Sequence, residues 1–88
     1  MTTHELKIAS IYFAEVINGN KTFEIRNNDR GFVEGDKVVL HEMAGAPGEG
    51  GYIYTGRRCA AEVGYVCSYG QPEGQVVFSL LNVDVEAQ

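Results

Sequence analysis

The spacing of apolar residues changes repeatedly along the chain, and each change predicts an element. From His4 to Ala9, Leu6 and Ile8 alternate with Glu5 and Lys7, the period of a strand with one buried face. Tyr12, Phe13, Val16 and Ile17 then fall at helical spacing. With Ser10 as N-cap and Asn18-Gly19 as a stop, they predict a short helix over Ser10–Asn18. Lys21–Arg26 reads as a second strand, with Phe23 and Ile25 anchoring the core and Thr22, Glu24 and Arg26 on the opposite face. Asn27–Gly31 is rich in turn formers and reads as a loop, and Gly35-Asp36 turns the chain into a strand over Lys37–Met43. That strand is apolar on both faces in its first half and is therefore expected to be central.

Ala44–Gly51 holds four glycines and a proline and predicts a hairpin loop. A phosphate-loop reading fails, because G-x-x-x-x-G-K-[ST] is absent and no helix follows. Tyr52–Cys67 continues as a long strand, in which Cys59, Ala61, Val63, Tyr65 and Cys67 would share the more apolar face, so two buried, reduced thiols are expected. After a loop over Ser68–Gly74, the last strand runs from Gln75 to Glu86. Its apolar parity switches near Leu80-Leu81, where a bulge or bend would let the strand wrap around a small barrel.

The 88 residues make a single domain over 1–88, small enough to need an economical core. The net charge of −5 and a pI near 4.8 argue against holding duplex DNA by bulk charge. The basic charge is focal instead, because Lys21, Arg26 and Arg30 fall in one segment and Arg57 and Arg58 in another. The chain shows no leader and no apolar run long enough to span a bilayer, so a cytoplasmic protein away from membranes is expected, as a monomer. Neither the two cysteines nor His4 and His41 have metal-ligand spacing, and no metal or other cofactor is expected.

Gly19–Arg30 carries the most chemistry, with eight charged or amide-bearing side chains in twelve residues. Glu24 and Arg26, two apart on one strand face, set a carboxylate and a guanidinium over one patch, as a structural salt bridge or as half of a polar ligand site. Arg26, Arg30 and Arg57 offer forked donors to a phosphate or carboxylate, while Glu24, Asn28 and Asp29 can pair with a base edge. Lysine acts as base or nucleophile only when neutral, and a neighbouring carboxylate favours its charged form. A Lys21–Glu24–Arg26 cluster thus suits holding a ligand better than attacking one.

The order of elements and several motifs resemble the ASCH domains of the PUA-like superfamily, above all their short bacterial and phage members labelled a domain of unknown function. The matching residues are His4-Glu5-Leu6-Lys7-Ile8, Tyr12-Phe13, Gly19-x-Lys21-Thr22-Phe23-Glu24-Ile25-Arg26, Asn28-Asp29-Arg30, Gly35-Asp36, Leu40-x-Glu42 and Tyr54-Thr55-Gly56-Arg57. The resemblance implies an α+β, mostly β fold: a small mixed β-barrel of about five strands with one or two short helices. It also implies a cleft beside the helix for single-stranded RNA or a nucleotide-like ligand, lined by Lys21, Thr22, Glu24, Arg26, Asn28, Asp29, Arg30 and Arg57, with His4, Lys7, Glu42 and Tyr54 on its rim. Some relatives remove the acetyl group from acetylcytidine with a lysine, a threonine and a later glutamate. Here the lysine maps onto Lys21, Glu24 stands at the threonine position with Thr22 the nearest hydroxyl, and the helical insertion that carries the later glutamate is missing. Were the chain an enzyme, Lys21 and Glu24 would be its catalytic residues. A third class is an accessory protein that meets a protein partner through its acidic surface and Tyr52, Tyr54, Tyr65 and Tyr69.

Overall fold

Five strands and one helix follow one another as β1 (Thr3–Ala9), α1 (Ser10–Ile17), β2 (Phe23–Asn27), β3 (Lys37–Ala46), β4 (Gly51–Cys67) and β5 (Gln75–Glu86) in a computed structural model that describes residues 1–46 and 50–86. They form one sheet in the order β1-β3-β4-β5-β2, with β1 parallel to β3 and every other pair antiparallel. The sheet curls into a half-barrel, mostly β, around a core to which α1 contributes Phe13 and Val16. β3 is internal as expected, with Val38, Val39 and Leu40 all buried. It runs on through Ala44 to Ala46, so the expected hairpin loop over 44–51 is shorter at both ends; residues 47–49 lie outside the described residues. Among the described residues no helix is long and apolar enough to cross a membrane.

Bulges curl the sheet. On β5, Leu81 pairs with Glu62 and Asp84 with Ala60, which leaves one extra residue on β5, and Asn82 takes a left-handed φ of 54° there. This is the bend that the parity switch at Leu80-Leu81 predicts. Asparagine tolerates that backbone better than a branched residue would. A second bulge, on β4 between Val63 and Val66, overturns part of the expected face. Cys59, Ala61 and Val63 point inward, but the extra residue rotates Tyr65 out to 71% exposure and leaves Cys67 half-buried. Gly64 sits inside that bulge because a β-carbon would run into the Ser79 hydroxyl, which accepts the Tyr65 amide at 3.1 Å. The buried Cys59 thiol is pushed up to about 11, first by burial.

Helix α1 ends where expected, with Asn18 as C-cap and Gly19 at φ 86°. Its start differs. Ala9 is the N-cap residue, and Ser10 Oγ donates instead to the Met43 carbonyl at 3.1 Å, fixing the helix to β3. Two buried polar pairs complete the frame, and both remove residues from the expected site rim. His4 Nε2 lies 2.9 Å from Asp36 Oδ2 with its ring tilted against Phe32, and the hydrogen bond to His4 is the largest cause of the lowered Asp36 pKa. His4 is therefore an internal strut, buried because its ring packs on Phe32 while its nitrogen meets a carboxylate.

Glu42 is equally internal. The strand pairing skips from His41–Arg58 to Met43–Tyr54, and the bulge Thr55-Gly56-Arg57, with Gly56 at φ 93°, turns two side chains onto the Glu42 carboxylate. Thr55 Oγ1 donates at 2.7 Å, while Arg57 donates from Nε at 2.8 Å and from its terminal nitrogen at 3.1 Å. The Arg57 fork holds the Glu42 carboxyl down to about 2. The guanidinium also covers the Phe13 ring at 5.0 Å. Arg57 thereby lies over the core beside α1, paired with Glu42 while its side chain stays 53% exposed.

Candidate functional site

β1 and β2 are the two edges of the sheet, and curling brings them face to face without joining them. The β1 carbonyls that would continue the ladder are taken by side chains. Arg26 donates to the Lys7 carbonyl at 2.7 Å and Arg30 to the Glu5 carbonyl at 2.9 Å. On β2, the Phe23 carbonyl accepts from Lys21 Nζ at 2.7 Å. Capping an edge with guanidinium and ammonium groups leaves a seam too wide for strand pairing and too polar for edge-to-edge association. That seam is the groove.

Two compartments lie along it. The first, about 470 Å³, is polar, with Glu5, Lys7, Arg26, Asp29, Arg30 and His41 among its lining and Tyr54 at one side. The second, about 550 Å³, is more apolar and is walled by Ile8, Ala9, Tyr12, Phe23 and Ile25, with the Lys21–Glu24–Arg26 cluster at its edge. Lys7 and Arg26 belong to both.

The cluster inverts the expected faces of β2. Glu24 points inward and is 3% exposed, whereas Phe23 and Ile25, expected to anchor the core, are 41% and 51% exposed. The reason is electrostatic. Glu24 Oε1 accepts from Arg26 Nε at 2.9 Å and Oε2 accepts from Lys21 Nζ, so the buried carboxylate is fully paired. An edge strand beside a groove can present its apolar residues outward, where here they wall the second compartment. Lys21 also lies outside the strand, which begins at Phe23, and so reaches Glu24 free of strand parity. Its ammonium sits 4.9 Å from the Phe23 ring and 5.9 Å from the Tyr12 ring.

Of the other predicted site residues, Asp29, Arg30, Lys7 and Tyr54 line the polar compartment. Thr22 does not join Lys21; it lines a separate hollow with Tyr65 and Cys67. Asn28 is a loop staple, its side-chain oxygen accepting the Phe32 amide at 3.1 Å, and its neighbour Asn27 is the one that faces the groove. His4 and Glu42 are buried in their pairs, whereas Arg57 is exposed and engaged by Glu42. Sequence reasoning took Tyr12 for a core residue and did not place Glu5 or His41 in the site. Tyr12 is half exposed, and Glu5 Oε1 lies 2.6 Å from His41 Nε2 at the groove wall. The odd-numbered positions of β1, polar by alternation, were the available signal for Glu5.

The fold and groove define a small curled β-domain with a cationic, aromatic-walled seam. Residues 3–80 match the family described as a domain of unknown function, DUF3850, and the chain belongs to that family. It is also similar to an uncharacterized 12.9 kDa protein in the GpA 3' region of Escherichia phage P2, 35% identical over 60 residues, which is 68% of this chain and 50% of the relative. The chain thus spans about half the length of the curated relative it matches.

Proposed function

We propose that this protein is a binding module for single-stranded RNA or a nucleotide-like ligand, and that the ligand lies in the groove between β1 and β2. The observation that carries the reading is the pairing of the two compartments. Cations with donors to spare sit beside exposed aromatic and aliphatic walls, the combination by which flexible single strands are held through phosphates and base faces together. The curled five-strand sheet, and the Gly-x-Lys-Thr segment opening onto the groove beside α1, support an ASCH-type, PUA-like assignment. Hydrolysis of an acetylated nucleoside is the weaker reading, since Lys21 is engaged by Glu24 and Thr22 lies in another hollow.

Few cations line the groove, so affinity should be low and steeply salt-dependent. Titrating a labelled single-stranded RNA at two salt concentrations should give a log–log slope of about −1.4 to −2.8, two to four phosphates at roughly 0.7 each. Duplex DNA should not bind measurably, because a chain of net charge −5 offers no broad basic face for its two phosphate backbones. No RNA binding at low salt would leave the protein-partner class in its place.

A further inference from the structure

Resting on that reading, we infer that the groove recognises a two-nucleotide step, with Lys7 holding the phosphodiester between one base in the apolar compartment and the next in the polar one.

Lys7 stands where the compartments meet. It lines the polar one, the apolar one and a third hollow of about 290 Å³ with Met43 and Tyr52. Its electrostatic state also differs from that of the two cations of the Glu24 cluster, while Arg30, in the polar compartment alone, meets only the Glu5 carbonyl among the described residues. Lys21 and Arg26 are both committed to Glu24. Among the described residues the Lys7 ammonium makes no hydrogen bond or ion pair, and it lies 5.9 Å from the centroid of the Tyr54 ring. A cation without a counter-ion, at the junction of two hollows, is placed for a group that is itself a junction. The phosphodiester of an extended strand is that group: it is singly charged and has a base on either side.

The two hollows then differ in what they offer a base. Tyr12, Phe23 and Ile25 supply faces and edges for stacking without hydrogen-bond readout. Asn27, Asp29 and the Glu5–His41 pair supply donors and acceptors suited to a base edge. A mononucleotide fills one compartment and leaves the other empty, so the linkage itself should add affinity.

The test uses the whole chain in amide-resolved NMR titrations with uridine, uridine 5'-monophosphate, the dinucleotide UpU, inorganic phosphate and a ten-nucleotide single-stranded RNA. UpU should bind at least about tenfold tighter than uridine or the monophosphate and shift amides on both sides of the seam, near Ile25 and near Asp29. Lys7→Ala should erase that advantage and Lys7→Arg should keep it; both should fold, because Lys7 is exposed. UpU binding no tighter than the monophosphate, or an advantage that survives Lys7→Ala, overturns the inference while ten-nucleotide RNA still shifts the seam. If ten-nucleotide RNA leaves the seam unmoved, the RNA reading falls and this inference with it. Equal shifts from inorganic phosphate alone would reduce Lys7 to a general anion site and also overturn it.

Discussion

Replacing Glu24 by alanine is expected to lower the unfolding free energy by about 3 kcal/mol, near the lower end of what breaking one side of a buried ion pair costs. The carboxylate is nearly inaccessible, and its removal leaves two cations, each about a fifth to a quarter exposed, facing each other without an anion. The partial exposure of Lys21 and Arg26 lets water recover some of that loss, which is why the upper end is not expected. In a domain of this size the melting temperature should fall by roughly 12–24 °C. Freed of Glu24, Arg26 also loses the contact that aims it across the seam at the Lys7 carbonyl. A thermal melt showing a change below about 0.5 kcal/mol would mean that the cluster is a solvated surface pair.

A larger loss, about 4 kcal/mol, is expected for Phe13→Ala, within the usual range for deleting a buried phenyl ring. Phe13 is fully buried and, with Val16, docks a helix of eight residues, which is too short to persist in water without such packing. Its ring also floors the Arg57 guanidinium, so the Arg57–Glu42 pair loses its apolar support. Because Tyr12 walls the groove from the same helix turn, RNA affinity should fall with helix order. Urea unfolding of both chains measures the first effect. A cost under about 1 kcal/mol would contradict the view that α1 is held by this ring.

How far the fold could be read from residues alone depended on how local the deciding interaction was. β1 follows from alternation, β3 from the Gly35-Asp36 turn and the apolar run after it, Gly19 from its place after the apolar stripe, and the Asn82 bend from the parity switch at Leu80-Leu81, all short-range signals. β2 read backwards. The apolarity of Phe23 and Ile25 points to a core, but the deciding fact is that Glu24 meets two cations at once, and Lys21 comes from outside the strand. His4–Asp36, 32 positions apart, and the Arg57–Glu42 fork, made by a bulge, depend on register that no local pattern reveals. For the groove, sequence spacing picked out the charged segment Lys21–Arg30. It could not show that β1 and β2, adjacent in the chain, would become opposite edges of the sheet, and so it left Lys7 on the rim and overlooked Tyr12.

Ultraviolet crosslinking of a single-stranded RNA to the full chain, followed by peptide mapping, tests most directly whether that seam is the binding site. Adducts are predicted on Tyr12, Phe23 and Tyr54, the exposed tyrosine and phenylalanine residues that line the two compartments. Adducts confined to Tyr65 and Tyr69, exposed and away from the groove, would contradict the account, as would the absence of any crosslink at low salt.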